Sequence, residues 1–224
     1  DPNGKDIIPG TNWEGSAYSQ VWNTLMKNSY TYLEIMNLYM DNSERDLYLH
    51  NTYIDDGKQS FGSTASTIAS KSIGEFYPAE GEKCYDWDAD TYFRNDMEKI
   101  LINGQAYQMT DLGRATSLIH EGIHQLMFFG ATTIEVENQG RQHKQMRTDE
   151  DLVCKFKQML QEFDRNLTEQ QIDLLYMFGL QNNELIDNYA KKYLKREVLS
   201  EDDRNEVWKQ IRDEQTKLIY EPSN

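Results

Sequence analysis

No stretch of this 224-residue chain approaches the roughly 20 consecutive apolar residues that a transmembrane helix needs. Cysteine is scarce as well. The two present, Cys84 and Cys154, form neither a CxxC nor a CxxH pattern, which removes a cysteine-based zinc knuckle. They could close one disulfide. The helical surroundings of Cys154 favour the alternative, a small buried hydrophobe. Positive charge is also short: 23 Lys and Arg stand against 38 Asp and Glu, a net charge of −15. That balance repels nucleic acid and anionic membranes. The acids are spread widely, as on a solvated surface, and weakly favour a cationic ligand or a metal. There is no internal repeat, no low-complexity tract and no signal peptide.

Aromatic residues are plentiful: fourteen Tyr, eight Phe and four Trp. With this length they support one packed domain over residues 16–224, not a disordered chain. Residues 1–15, opening DPNGKDIIPG, read as a flexible leader of the kind left when a signal or lipoprotein anchor is removed. The expectation is a secreted, periplasmic or surface-anchored protein, with the cytoplasm as the alternative.

Helical spacing of Tyr18, Val21, Trp22, Leu25, Met26, Leu33, Met36 and Met40 predicts one long amphipathic helix over 16–41. Gly, Ser, Thr and Tyr dominate 47–85, with a turn at DDGKQ (55–59) and an exposed edge strand in STASTIAS (63–70). KILIN (99–103) reads as a short strand that could join the sheet beside the next helix, which starts near Thr110 or Asp111 and stops at Gly130. Residues 131–147 read as polar and irregular. Thr148 then caps a helix to Phe163, Thr168 caps another with Gln171 completing a capping box, and two more helices fill 183–197 and 201–218. The fold class is α+β, with the sheet and one central helix in residues 16–130 and a mainly helical part over 131–224.

The central helix carries LIHEGIHQL, residues 118–126. His120 and His124 are four apart, so their imidazoles lie one turn apart on one face and can converge on one metal ion. Zn²⁺ accepts neutral imidazole at about 2.0–2.1 Å. Glu121 projects about 100° round the helix, where its carboxylate can serve as base to a water that the metal acidifies. Its neighbours Ser117, Leu118, Ile119, Gly122, Ile123, Gln125 and Leu126 are all uncharged, as a buried catalytic helix requires. The competing reading is an apolar stripe (Leu112, Ala115, Leu118, Ile119, Ile123, Leu126) that merely packs, with two boundary histidines. Two histidines and a glutamate inside such a helix are hard to satisfy without a metal.

SLIHEGIHQL resembles the active-site helix of the zincin metallopeptidases. The likeness is close over that helix and looser from strand 99–103 to helix 148–163. It implies a zincin-like fold, a small mixed sheet beside the active-site helix, His120 and His124 as zinc ligands, and Glu121 as general base. Metzincins continue HExxHxxGxxH, whereas QLMFFG follows His124 here, so that subclass is set aside. Gluzincins and aspzincins take a third ligand from a later helix, which points to RTDEDLVCKF (147–156). The gluzincin ligand is followed by apolar residues one, two and five positions on. Asp151 meets this with Leu152, Val153 and Phe156; Glu150 and Asp149 do not. Thr148 to Asp151 also resembles the T-x-x-D part of the aspzincin motif, although Arg147 stands where glycine is usual. Asp151 is therefore nominated as the third ligand, with Glu150, His143, Glu135 and Glu137 as alternatives. Thr148 with Asp151 also reads as a helix cap favoured by the dipole.

Zincins usually add a Tyr, His or Arg that stabilises the oxyanion. The resemblance places His143 in that role, with Tyr176 and Tyr189 as weaker choices; an exposed loop histidine is the plain alternative. His50 has no partner motif and reads as structural. The acids of YPAEGEKCYDWDAD (77–90) lack the order of a calcium loop and read as a solvated surface. The expected activity is zinc-dependent hydrolysis of peptide bonds in a peptide or protein substrate. Two other readings stand beside it: a zincin-fold binding protein without turnover, and a metal-dependent hydrolase of a non-peptide amide such as a cell-wall bond.

Overall fold

The computed structural model describes residues 7–10, 12–40, 46–52, 65–71, 87–94, 100–102, 105–130, 139–198 and 200–223. They form a mixed α+β fold, mostly helical. The leader is not wholly detached. Ile7–Pro9 form strand β1, and Trp13 is buried against Phe93 with ring centroids 5.5 Å apart. Large apolar side chains there gain more by leaving water than the backbone loses by being ordered.

The helix expected over 16–41 is two helices, α1 (Ala17–Asn28) and α2 (Tyr30–Met40). Ser29 breaks it with an extended backbone (φ −105°, ψ 107°). Its hydroxyl accepts from Tyr32 N at 3.0 Å and donates to a Glu162 carboxylate oxygen at 2.6 Å. Glu162 also accepts from Thr31 N at 3.1 Å, which places a carboxylate on the free N–H groups of α2. A Ser that caps the second segment competes well with continuing the first.

Four strands make the larger sheet: β1, β2 (Leu47–Thr52), β3 (Ala65–Lys71) and β4 (Trp87–Arg94), in the order β1-β2-β4-β3. β1, β2 and β4 run parallel, while β3 pairs antiparallel with β4 at the edge. The turn at 55–59 and residues 77–86 of the acidic stretch lie outside the described residues; Trp87–Asp90 of that stretch belong to β4. β5 (Ile100–Ile102), β6 (Gln105–Met109) and β7 (Tyr220–Pro222) form a separate three-stranded sheet. The strand expected at 99–103 therefore does not join the sheet beside the central helix. It pairs with β6, which in turn pairs with the C-terminal strand.

α3 (Asp111–Gly130) is the hub. Thr110 starts it, its hydroxyl accepting from Gly113 N at 3.0 Å. α1, α2, β3, β4 and three helices of the C-terminal half pack round it, and every residue from Ala115 to Gln125 is buried. That explains its broad apolar character. Gly113 is needed where it stands: a Cβ there would lie 2.6 Å from the carbonyl oxygen of Ile219.

The C-terminal half contains α4 (Gln139–Thr148), α5 (Glu150–Phe163), α6 (Glu169–Tyr176), α7 (Asn183–Tyr189) and α8 (Glu201–Ile219), with a π turn over Ala190–Leu194. α4 replaces the last part of the segment read as irregular; residues 131–138, with Glu135 and Glu137, lie outside the described residues. Asp149, not Thr148, caps α5, its carboxylate accepting from Asp151 N and Leu152 N. The capping box of Thr168 with Gln171 is present. Cys154 is exposed on α5, not buried, because the inward face of that helix is Leu152, Phe156, Met159 and Leu160. Cys84 lies outside the described residues.

Candidate metal centre

α3 sets His120 and His124 one turn apart, both buried, with their Nε2 atoms 3.2 Å apart. α4 brings in His143, whose Nε2 is 3.3 Å from that of His120. The three ring centroids are 4.9, 5.2 and 5.1 Å apart, close to an equilateral triangle. These histidines lie close enough together to hold a metal ion. Four ligands placed tetrahedrally about 2.0–2.1 Å from zinc are separated by about 3.3 Å. The observed Nε2 spacing matches that edge length.

The protonation states suit the same purpose. Burial drives His120 well below the usual histidine range, with the charges of His124 and His143 adding to it. Burial, then His143, pushes His124 down to about 4, with Gln142 beside its ring opposing the shift. Burial and the positive charge of Arg147 lower His143. All three are neutral at pH 7, the form that ligates metals. Each neutral ring has one N–H, so with mixed tautomers an Nε2–H of one ring can donate to the bare Nε2 of the next, whereas a cation would engage all three lone pairs at once.

Packing orients the rings. No hydrogen-bond partner meets Nδ1 of His120 or His124. Phe156 stands edge-on to His120 with centroids 6.4 Å apart. Gly179, at φ 81°, approaches so closely that a Cβ would lie 3.2 Å from Cε1 of His120. That glycine is thus part of the wall of the centre. Gly122 does the same for Tyr32, whose ring would meet a Cβ at 3.0 Å. Tyr32 is fully buried, and its hydroxyl pKa is raised by burial and, to a smaller extent, by the charge of Glu121. Glu121 is itself buried on α3, the residue after His120.

No protein-family model, curated protein or solved structure matches this chain.

Of the residues singled out from the sequence, the structure gathers His120, His124 and His143, with Glu121 beside His120 in the chain. Asp151, the nominated third ligand, is not brought into the cluster. It is exposed in the first turn of α5, its N–H bound by the capping carboxylate of Asp149 at 3.0 Å. The face of α5 turned toward α3 is that of Leu152 and Phe156, and the residue before Leu152 points about 100° away from it. Glu150 is exposed in the same turn. His143, expected as an oxyanion donor, has its Nε2 in the converging set, and a nitrogen that ligated a metal there could not also donate to an oxyanion. Tyr176 is committed elsewhere: its hydroxyl donates to Met146 O at 2.9 Å. The hydroxyl of Tyr189 accepts from Gln170 Nε2 at 2.8 Å. His50 sits on β2, where Gly10 leaves room for its ring.

Proposed function

We propose that this chain is a zinc-dependent metallopeptidase, with His120, His124 and His143 as ligands and Glu121 as general base. One observation carries the reading: the Nε2 atoms of His120 and His124, on the helix that also holds Glu121, and of His143, on α4, converge at 3.2 and 3.3 Å. Three neutral nitrogen donors suit Zn²⁺ among the common divalent ions, and three protein ligands leave a fourth position open, as catalytic sites do. Bound there, zinc supplies a Lewis acid that polarises a carbonyl and lowers the pKa of water.

The chain supplies the proton movements. The Glu121 carboxylate takes a proton as a water oxygen attacks the scissile carbonyl carbon. It delivers that proton to the amide nitrogen as the C–N bond breaks. The product is a carboxylic acid and an amine. The sheet favours peptide over other amides as substrate. β3 is the last strand in its sheet, lies alongside α3, and has no strand on its outer edge among the described residues. An extended peptide can add to such an edge and bring its backbone to the metal.

The test joins metal content to turnover. Protein purified without chelator and supplied with zinc should hold it stoichiometrically, and His124→Ala and His143→Ala should not. A peptide library should be cut by the zinc-loaded protein and left intact by Glu121→Gln. A wild-type protein that binds no zinc ends the proposal. Zinc without cleavage of any peptide replaces it with the binding-protein reading.

A further inference from the structure

Arg147 stands one turn beyond His143 on α4, on the same face of that helix. Its Nε is buried and meets no hydrogen-bond partner, and no acid pairs with its guanidinium among the described residues. The charge still reaches two neighbours: it lowers His143, and it opposes the burial-driven rise of Tyr176. The head group therefore sits near both the metal centre and α6. His143 is also the least buried of the three histidines, and Arg147, on the same face of α4, is likewise only half-buried.

A partly buried guanidinium without an anion is costly. A metal would sharpen the imbalance. Three neutral imidazoles cancel none of a divalent ion's charge, and Glu121 offsets only part of it. The result is a positive focus inside a protein of net charge −15, and a cleft of one sign concentrates ligands of the other.

We propose that Arg147 binds a carboxylate of the substrate beside the scissile amide, so that the enzyme selects peptides carrying a carboxylate next to the cleaved bond. The guanidinium fork grips a carboxylate through two parallel N–H bonds, which also fixes the peptide's orientation. This rests on the metallopeptidase reading. The carboxylate can come from the chain end or from an acidic side chain, and the experiment separates the two.

Three peptides are titrated calorimetrically into zinc-loaded Glu121→Gln protein, in which hydrolysis is blocked: N-acetyl-Ala-Ala-Phe, its C-terminal amide, and N-acetyl-Ala-Asp-Phe amide. One or both acidic peptides should bind about ten- to a hundredfold tighter than the neutral amide. The first marks the chain end as the source, the third a side chain. Adding Arg147→Gln should abolish the preference, and Arg147→Lys should restore part of it. Equal binding of all three peptides, or a preference that survives Arg147→Gln, overturns the proposal. The same titrations on chelator-treated protein keep the two ideas apart. A preference for carboxylate that needs Arg147 but appears without zinc loading supports the anchor even if the metal reading fails. Circular dichroism and zinc content of the Arg147 variants confirm that fold and metal are retained.

Discussion

Stripped of metal and acidified, the centre should destabilise its own fold. His124 is held at about 4, chiefly by burial, against an ordinary 6.5. In the unfolded chain it returns to the ordinary value. Between those values the unfolded chain takes up a proton that the folded one refuses, so stability is full above about pH 6.5 and falls as pH drops toward 4. At pH 5 this linkage amounts to about 2 kcal/mol from His124 alone. For a domain of this size that lowers the melting temperature by about 4–8 °C. His120 and His143 are shifted in the same direction and add to it. The assay is thermal unfolding of chelator-treated protein at pH 7.5, 6 and 5, beside His124→Gln, whose amide cannot titrate. Acids elsewhere titrate alike in both proteins and cancel in the comparison. Wild type should lose several degrees more than the variant between pH 7.5 and 5, and excess zinc should flatten its curve wherever zinc stays bound. Parallel curves for the two metal-free proteins would refute the claim that His124 is buried and neutral.

The ligand assignment separates two alanine variants. Asp151→Ala should keep wild-type zinc affinity in a competition titration, while His143→Ala should lose more than the about 10–100-fold typical of an outer-shell change. Glu121→Gln should bind zinc normally yet hydrolyse peptides about 10²–10⁴-fold more slowly, the usual worth of a general base. Gly113→Ala is expected to lower stability by about 1–3 kcal/mol in urea unfolding, because its methyl would press on the Ile219 carbonyl, and this outweighs the better helix propensity of alanine. A Gly113→Ala protein as stable as wild type would show that the end of α8 gives way freely.

The sequence made α3 legible because apolar periodicity and the His-Glu-x-x-His spacing agree on one helix, and the structure puts every one of its central residues inside. α4 was hidden for a physical reason. The described residues on its inward side are Gln142, His143, Met146 and Arg147, at helical spacing but with one apolar member, so a search for hydrophobic periodicity finds no helix there. The acids of TDED attract the third-ligand reading instead, although Asp149 is the helix cap and its neighbours favour the dipole. Yet the helical signal was present in another form. His143 and Arg147 are four apart, the spacing that marked His120 and His124, and besides that pair the chain has only His50 and His143. Polar side chains turned inward at helical spacing are unfavourable unless something completes them. On α3 and α4 together they leave three neutral imidazoles facing one point and, among the described residues, a guanidinium with no acid. Burial of polar groups therefore locates this site better than apolar patterning does, and it fits a cation for the imidazoles and an anion for Arg147.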